Sequence, residues 1–335
     1  MPRAVRALLL IAGIAVLVAL VLRTGPATIA TMLRAVGWGF LIVSAVYTAH
    51  LAVRAGAWWR CMPDGLLRYR DVLLIRFAGE AIEMLTFTGP FLAEPAKGYL
   101  LVRRGMAGAD AFGAVAIEYL LYTLVSAWMA GVALSLLLAR NLLPLPLRVP
   151  AIGIVAAMVA FTIGCAAAAI SGRGIIAPIA GACLRVFSRS RAAGVVLKVG
   201  EVERVLVGFM HQRPARLAEV LSIEAGGHAL LVAEVWIVLW SIGLRLAALD
   251  PFLVEGGQKF INAAFFFVPG QVGASEGVYA LLVASLGYPA AAGLTLALVR
   301  RVRGLIVAGA GVAVLAIANR GTDSPNATTK PRKHE

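Results

Sequence analysis

The sequence predicts an all-α, polytopic membrane protein, and two observations carry this prediction. Of the 335 residues, 61% are hydrophobic, and the mean hydropathy is +0.88. A soluble domain of this size could not cover so much apolar surface. Broken backbone and charge also lie inside apolar stretches, above all in residues 265–303. A membrane protein tolerates both features only where protein or a water-filled cavity surrounds them.

The charge is strongly positive, at +14, and it is unevenly placed. The basic residues collect in four segments: the N-terminus, 60–70, 173–216 and 320–333. This pattern is typical of cytoplasmic loops beside anionic lipid head groups, and it argues against nucleic-acid binding.

Motifs for soluble chemistry are not found in the sequence. The three cysteines are isolated and the histidines form no ligand pattern, so we expect no disulfide framework, no metal and no other cofactor. The sequence has no DxD motif, no Walker A motif and no convincing catalytic set of Ser, His and Asp. We therefore predict no catalytic residues, and an enzyme is the less favoured interpretation.

Six full spans are expected from the apolar runs. They are 7–22, 38–57, 109–139, 149–171, 217–247 and about 290–318. The run 7–22 lacks a cleavage site and is interpreted as a retained span. Residues 1–319 form a single membrane domain, in which 172–215 is an amphipathic segment on the cytoplasmic face. Residues 320–335 are predicted to be a disordered cytoplasmic tail.

Two further segments are predicted to be re-entrant hairpins. With both termini inside, 72–104 starts and ends inside, and we expect it to turn at Gly89 and Pro90. Residues 248–260, including Lys259, are predicted to be an outside loop. Residues 261–287 then start and end outside, and we expect them to turn at Pro269, Gly270 and Gly273. The alternative is eight plain spans.

The two hairpins match each other in sequence at an offset of 182 residues. Glu94 precedes Gly105 by eleven residues, as Glu276 precedes Gly287. The offset defines repeat one, about 38–139, and repeat two, about 217–318. An odd number of crossings separates the repeats, so they are expected to point in opposite directions. Opposed repeats with broken helices are typical of transporters.

Three arginines within one turn are the sharpest local signal: Arg300, Arg301 and Arg303. Placing each one at the centre of a bilayer costs about 2.5–3.5 kcal/mol even on the mildest scale. We expect them to pair with Glu276, Glu118 or Glu94, or to hold a phosphate in a bidentate fork. In the alternative, the helix breaks near Gly304 and the arginines are interfacial.

Glu94 and Glu276 stand where the second arm of each hairpin begins, at Pro95 in the first hairpin and near Ser275 in the second. Each is either a buried cap for the free N–H groups there or a functional carboxylate. Lys97 follows Glu94 by one turn and is expected to pair with it. The predicted substrate-binding set is Arg300, Arg301, Arg303, Glu276, Gln271, Glu94, Lys97 and Glu118.

Two stretches carry a family resemblance. VPGQVGASEGVYALLVASLGY with the following LALVRRVRG resembles the second signature of the lysylphosphatidylglycerol synthase transmembrane (flippase-like) family. TGPFLAEPAKGYLLVRRG resembles the first, although Leu92 and Ala93 stand where glycines are usual. The chain ends sixteen residues after Asn319, so the soluble aminoacyl-transferase domain of the family's enzymes is not expected.

The resemblance implies lipid translocation or lipid handling, with hopanoid-type lipids, lipid-linked sugars and modified phospholipids as substrate classes. The leading hypothesis is a bacterial inner-membrane protein that holds a polar or anionic head group in a central cavity and moves the lipid between leaflets. A membrane-embedded transferase using a lipid donor is one alternative. A scaffold that partners lipid-synthesis enzymes is the other.

Overall fold

A computed structural model describes residues 34–86, 89–174, 189–264 and 274–320, together with Ala27 and Thr31. Within this part no residue lies in a strand, and ten helices have defined bounds: α1 Gly39–Arg60, α2 Tyr69–Leu85, α3 Pro90–Val102, α4 Gly108–Ala139, α5 Leu145–Ser171, α6 Arg189–Gln212, α7 Pro214–Ser241, α8 Asp250–Ala264, α9 Ala274–Ser285 and α10 Ala290–Arg320. Four elements of the sequence prediction lie outside the described residues: the span 7–22, the turn Pro269, Gly270 and Gly273, the side chain Gln271, and the tail from 321 onward.

Helices α1, α4, α5 and α7 are each long and apolar enough to cross a membrane. Helix α10 has 31 residues and carries the three arginines. Helices α2, α3, α8 and α9 have 17, 13, 15 and 12 residues. They are shorter than the roughly 20 residues that a full span needs. Helix α5 fully buries only Ala151, and it packs against α4 and α6 through partly buried side chains.

The helix order recurs along the chain, because α1–α4 reappear as α7–α10. Helices α4 and α10 begin 182 residues apart, at Gly108 and Ala290. Gly105 and Gly287, which end the turns after α3 and α9, have φ values of 93° and 87°. This left-handed region favours glycine, so the same turn is built in both copies.

Helices α1 and α7 run antiparallel in direct contact. His50 Nδ1 lies 2.9 Å from the Gly227 carbonyl oxygen near their middle, and Arg60 pairs with Glu219 at one end. The other end places Gly39 beside Ser241. The remaining helices pack crosswise, with α2 of the first copy against α10 and α4 against α8 of the second. Exchanging the two copies therefore preserves the arrangement of contacts.

The break between α2 and α3 follows from local chemistry. Gly89 has φ 51° and ψ −126°, a conformation that side chains disfavour. Pro90 occupies the first turn of α3, where its missing N–H costs nothing. The prediction that Pro95 begins this arm was wrong, because Pro95 lies inside α3.

The predicted outside loop 248–260 was also wrong, because helix α8 begins at Asp250. Asp250 accepts a hydrogen bond from the Ala247 N–H at 2.9 Å, which fixes the start of the helix. Leu253 and Val254 are buried, so this segment contributes to the core. Helix α8 thus begins eleven residues before the predicted segment 261–287.

Apolar clusters occupy both ends of the α1–α7 pair. Phe40 and Val43 pack with Val238 at one end, while Trp58 packs with Val220 at the other. The amphipathic segment predicted on the cytoplasmic face forms α6, whose apolar side packs against α4. The buried polar side chains of α1 and α7 lie between these clusters, which places the candidate site at mid-height in the helix pair.

Candidate functional site

A network of buried charges runs between the two copies. Its wholly or almost wholly buried members include Arg54, Arg76, Lys97, Glu118, Glu224, Glu234, Glu255 and Arg303. Buried charges persist in a membrane protein when they are paired and face the interior. The pairs therefore show how the network is organised.

Glu118 on α4 is the centre of the network in the first copy. Its Oε1 accepts hydrogen bonds from Arg54 at 2.7 Å and from Arg76 at 3.0 Å. The guanidinium of Arg54 also lies over the ring of Tyr122, with 3.5 Å from Cζ to the ring centroid. One carboxylate thus holds together helices α1, α2 and α4.

Lys97 and Glu94 form an ion pair within α3, with 2.7 Å between Nζ and Oε1. This is the pair that the sequence predicts. The Lys97 stem lies against Gly79 of α2, where an added Cβ would collide with it. The ammonium group lies 5.5 Å from the ring centroid of Trp58. Gly79 therefore provides the space that lets a lysine lie inside the helix bundle.

Arg300 on α10 is the centre of the network in the second copy. It pairs with Glu255 at 2.7 Å and with Glu234 at 3.2 Å. It also donates hydrogen bonds to the Tyr279 hydroxyl and, at 3.2 Å, to the Leu231 carbonyl. These partners lie on α7, α8 and α9, so this guanidinium holds together the four helices of its copy.

Arg303 connects the two copies. It donates a hydrogen bond to Glu234, and its guanidinium lies 3.5 Å from the ring centroid of Tyr47 on α1. The Tyr47 hydroxyl donates in turn to Glu80 on α2. Helix α10 continues through Gly304 as one helix, so the alternative in which it breaks there is wrong.

Arg301 points to the hairpin segment of the second copy. It pairs with Glu276 at 2.5 Å, near the start of α9. Ser275 lies within the first turn of this helix and donates a hydrogen bond to Glu276 at 3.0 Å. Glu276 thus pairs with a cation, as Glu94 does in the first copy, but its partner lies on the next helix, whereas Lys97 lies on the same helix as Glu94.

The glutamates of the network differ in how much of their side chains is exposed. The side chains of Glu118 and Glu234 are 0% exposed, whereas Glu94 is 15% and Glu276 is 17% exposed. Glu94 and Glu276 are therefore partly exposed members of the network, together with Arg300 and Arg301, each of which is 13% exposed.

Several members of the network were missed or misplaced by the sequence reasoning: Arg54, Arg76, Glu234, Glu255 and Lys259. Of the three glutamates offered as alternative partners of the α10 arginines, Glu276 pairs with Arg301, whereas Glu118 and Glu94 bind cations of the first copy. Lys259 was assigned to an outside loop, yet it lies on α8, 3.3 Å from Glu255. A signal was present for Arg54 and Glu234, since each is a charge within a long apolar helix.

Outside the spans, Arg216 donates to both carboxylate oxygens of Asp64 at 2.7 Å. These hydrogen bonds hold the pKa of Asp64 below its usual range. The pair joins the α1–α2 loop to the start of α7. Among the described residues, no group of three or more His, Cys, Asp or Glu could hold a metal ion.

The comparison with protein families identifies the chain. The family model described as "Lysylphosphatidylglycerol synthase TM region" matches residues 7–311. The chain belongs to this family. Membership in the lysylphosphatidylglycerol synthase transmembrane family makes it a multi-pass membrane protein tied to lipid metabolism. The match includes both Glu94 and Glu276 and all three arginines of α10. The searches of curated proteins and of solved structures found no match.

Proposed function

We propose that this protein binds a lipid by its polar or anionic head group and moves it between the leaflets of the bacterial inner membrane. The substrate-binding set is Arg300, Arg301, Arg303, Glu276, Gln271, Glu94, Lys97 and Glu118. The observation that carries the proposal is a partly exposed glutamate in each copy, Glu94 paired with Lys97 and Glu276 paired with Arg301, beside charges that are wholly buried.

The opposed direction of the copies supports a transport function. Helices α1 and α7 are equivalent and antiparallel, so equivalent features of the two copies point to opposite ends of the bundle. From the start of α1 to the start of α7, three described helices are able to cross the membrane, α1, α4 and α5, which gives the odd number that inversion needs. Inverted repeats of this kind allow a central site to open alternately to either side.

The short helices support two re-entrant hairpins, α2 with α3 and α8 with α9. Each arm has 17 residues or fewer, and the Gly89 turn lies between the arms of the first hairpin. With the basic segments 60–70 and 173–216 on the cytoplasmic side, both termini are cytoplasmic. The basic face then lies beside anionic head groups of the inner leaflet.

Exchange of anionic partners explains how a head group could enter. A phosphate offers oxygen acceptors in the geometry of a carboxylate, so it can replace Glu276 as the partner of Arg301. The displaced carboxylate is partly exposed and can be solvated. Arg300 and Arg303 lie within a turn of Arg301 and supply further positive charge; the Arg300 side chain is as exposed as that of Arg301, at 13%. The ligand is thus paired at each stage, which avoids the cost of a bare charge in hydrocarbon.

The test is a lipid-flipping assay with purified protein in vesicles. An anionic phospholipid labelled on its acyl chain is incorporated, and a membrane-impermeant quencher then reports how fast inner-leaflet lipid becomes accessible. We expect Arg301→Ala to lower the rate about 10- to 100-fold, which corresponds to one charge-assisted contact of about 1.5–3 kcal/mol. Arg301→Lys should be intermediate, because it keeps the charge and loses the fork.

The control is Arg60→Ala, since Arg60 forms a surface pair with Glu219 outside the network. Equal rates in wild type, Arg301→Ala and protein-free vesicles would refute the proposal. Chemical conversion of the labelled lipid by wild type would instead favour a transferase.

A further inference from the structure

Glu224, on α7, is a buried carboxylate that no described residue supports with a hydrogen bond. Its side chain is 0% exposed, and neither oxygen accepts a hydrogen bond within the described part of the chain. Its ion-pair contact is Arg54 Nε at 3.7 Å, which is too long for a hydrogen bond. Arg54 Nε also lacks a hydrogen-bond partner among these residues. Donor and acceptor thus face each other across a small gap.

The neighbouring charges explain the gap. Arg54 already donates to Glu118 through its terminal nitrogen, and Arg76 donates to the same oxygen. Lys97 is matched by Glu94. Within the cluster formed by these five side chains and Glu224, the charges balance when Glu224 is ionised, and one positive charge, on Arg54, is in surplus when Glu224 holds a proton. A buried carboxylate that accepts no hydrogen bond is the group that takes up a proton.

We infer that Glu224 is a proton-binding site and that proton binding there frees Arg54 to pair with an anionic ligand. The anion part rests on the proposed function, whereas the proton site does not. When ionised, the Glu224 carboxylate accepts a hydrogen bond from Arg54 Nε. When protonated, it lies 3.7 Å from Arg54 Nε, as in this structure. A proton and an anion therefore bind together, and each raises the affinity for the other.

Among the side chains around Glu224, Arg54 is the one that can change its pairing with the Glu224 carboxyl group. Helix α1 also presents His50, whose Nδ1 donates to the Gly227 carbonyl, and α4 presents Glu118 and Tyr122. His228 Nδ1 donates to the Glu224 carbonyl, and its Nε2 meets the Ser126 hydroxyl, each at 2.8 Å. Both nitrogens of that imidazole are occupied, so it does not serve the carboxyl group.

The charged side chains on α8 and α10, which also pack against α7, form ion pairs with residues other than Glu224. Lys259 and Glu255 of α8 pair with each other, and Arg300 and Arg303 of α10 pair with Glu234. Near Val220, α6 packs against α7 with apolar side chains, and the buried thiol of Cys61 lies in the same cluster.

Infrared difference spectroscopy of the full chain in lipid nanodiscs tests the proton site directly. Between acidic and alkaline pH, wild type should lose a protonated-carboxyl band that shifts in D₂O. The band should be missing in Glu224→Gln and kept in Glu219→Gln, an exposed residue on the same helix. A band of equal size in Glu224→Gln would overturn the inference, as would its absence from wild type.

Calorimetry with short-chain phosphatidylglycerol tests the linkage. In wild type, affinity should fall about tenfold per pH unit on the alkaline side, and the heat should depend on the buffer because a proton is taken up. Glu224→Gln should bind with an affinity that is independent of pH. A pH-independent affinity in wild type overturns the linkage. An absence of binding overturns both the linkage and the proposed anion site, while the infrared band still decides the proton site.

Discussion

Glu118 and Arg300 occupy equivalent positions in the two copies, 182 residues apart, and carry opposite charges. Each is the centre of the charged network in its own copy. Glu118 binds arginines of α1 and α2, and Arg300 binds glutamates of α7 and α8. Each centre would be repelled by the other's partners. The opposite charges of Glu118 and Arg300 therefore favour packing of α4 with the first copy and of α10 with the second copy.

Replacing Glu118 by Ala should be strongly destabilising. The substitution leaves Arg54 and Arg76 buried without their shared acceptor, which typically costs about 3–5 kcal/mol. The expected result is a large fall in the thermal unfolding midpoint of the purified protein, measured by size-exclusion chromatography after heating.

The control for that experiment is Glu219→Ala. Its pair with Arg60 is partly exposed on both sides, and such pairs contribute about 1 kcal/mol or less. Equal unfolding midpoints for the two variants would show that Glu118 does not support the network.

Close helix packing predicts a contrast between two glycines of α10. An added Cβ at Gly311 would collide with the backbone of Phe77 on α2, whereas Gly309 has open space around it among the described residues. Gly311→Ala should therefore destabilise the protein by about 1–3 kcal/mol. Gly309→Ala should be neutral or slightly stabilising, because alanine has the higher helix propensity. Heat-inactivation curves of the two variants measure the contrast, and coinciding curves would argue against the α2–α10 contact.

The antiparallel pairing of α1 and α7 predicts a specific cross-link. Gly39 lies against Ser241, so cysteines at these two positions should form a disulfide under mild oxidation. The background should carry serine at the three native cysteine positions. Cysteines at Gly39 and Ser222 are the matched control, since Ser222 lies near the opposite end of α7. Proteolysis between α1 and α7 followed by non-reducing electrophoresis reads out the link. A stronger link in the control pair would mean that the helices run in the other direction.

The Arg301–Glu276 pair predicts rescue by charge exchange. Arg301→Glu or Glu276→Arg alone places two like charges together at the edge of the network and should lower stability. The double variant restores an opposite pair in the same place. A double-mutant cycle on unfolding midpoints should give a coupling of about 0.5–3 kcal/mol. A coupling near zero would show that the two side chains do not depend on each other.

The repeat could be predicted from the sequence because matching residues recur at the same spacing in both copies. Glu94 with Gly105 and Glu276 with Gly287 share one spacing, and the glycines serve the same left-handed turn. The start of α8 could not be predicted in this way. Its pattern mixes polar and apolar residues because one face meets α4 and another meets the charged network, so the segment resembles a loop.

The site was predictable at the level of single charges and less so for their partners. The glutamate nearest to Lys97 in sequence is its partner, because the pair lies within one helix. Arg300 and Arg303 instead use Glu234, on α7, which helix packing alone brings near. Ion pairing between helices depends on how each helix is rotated about its axis and on how far along that axis each charge lies. Residue spacing along the chain does not specify either for two helices relative to each other.

The crosswise packing of α2 against α10 constrains biosynthesis. Helix α2 is translated before α10, which is the last of the described helices. The surface of α2 that α10 covers is therefore completed only after α10 has been inserted. Variants that delay the insertion of α10 should be recognised by quality-control proteases as unfinished chains.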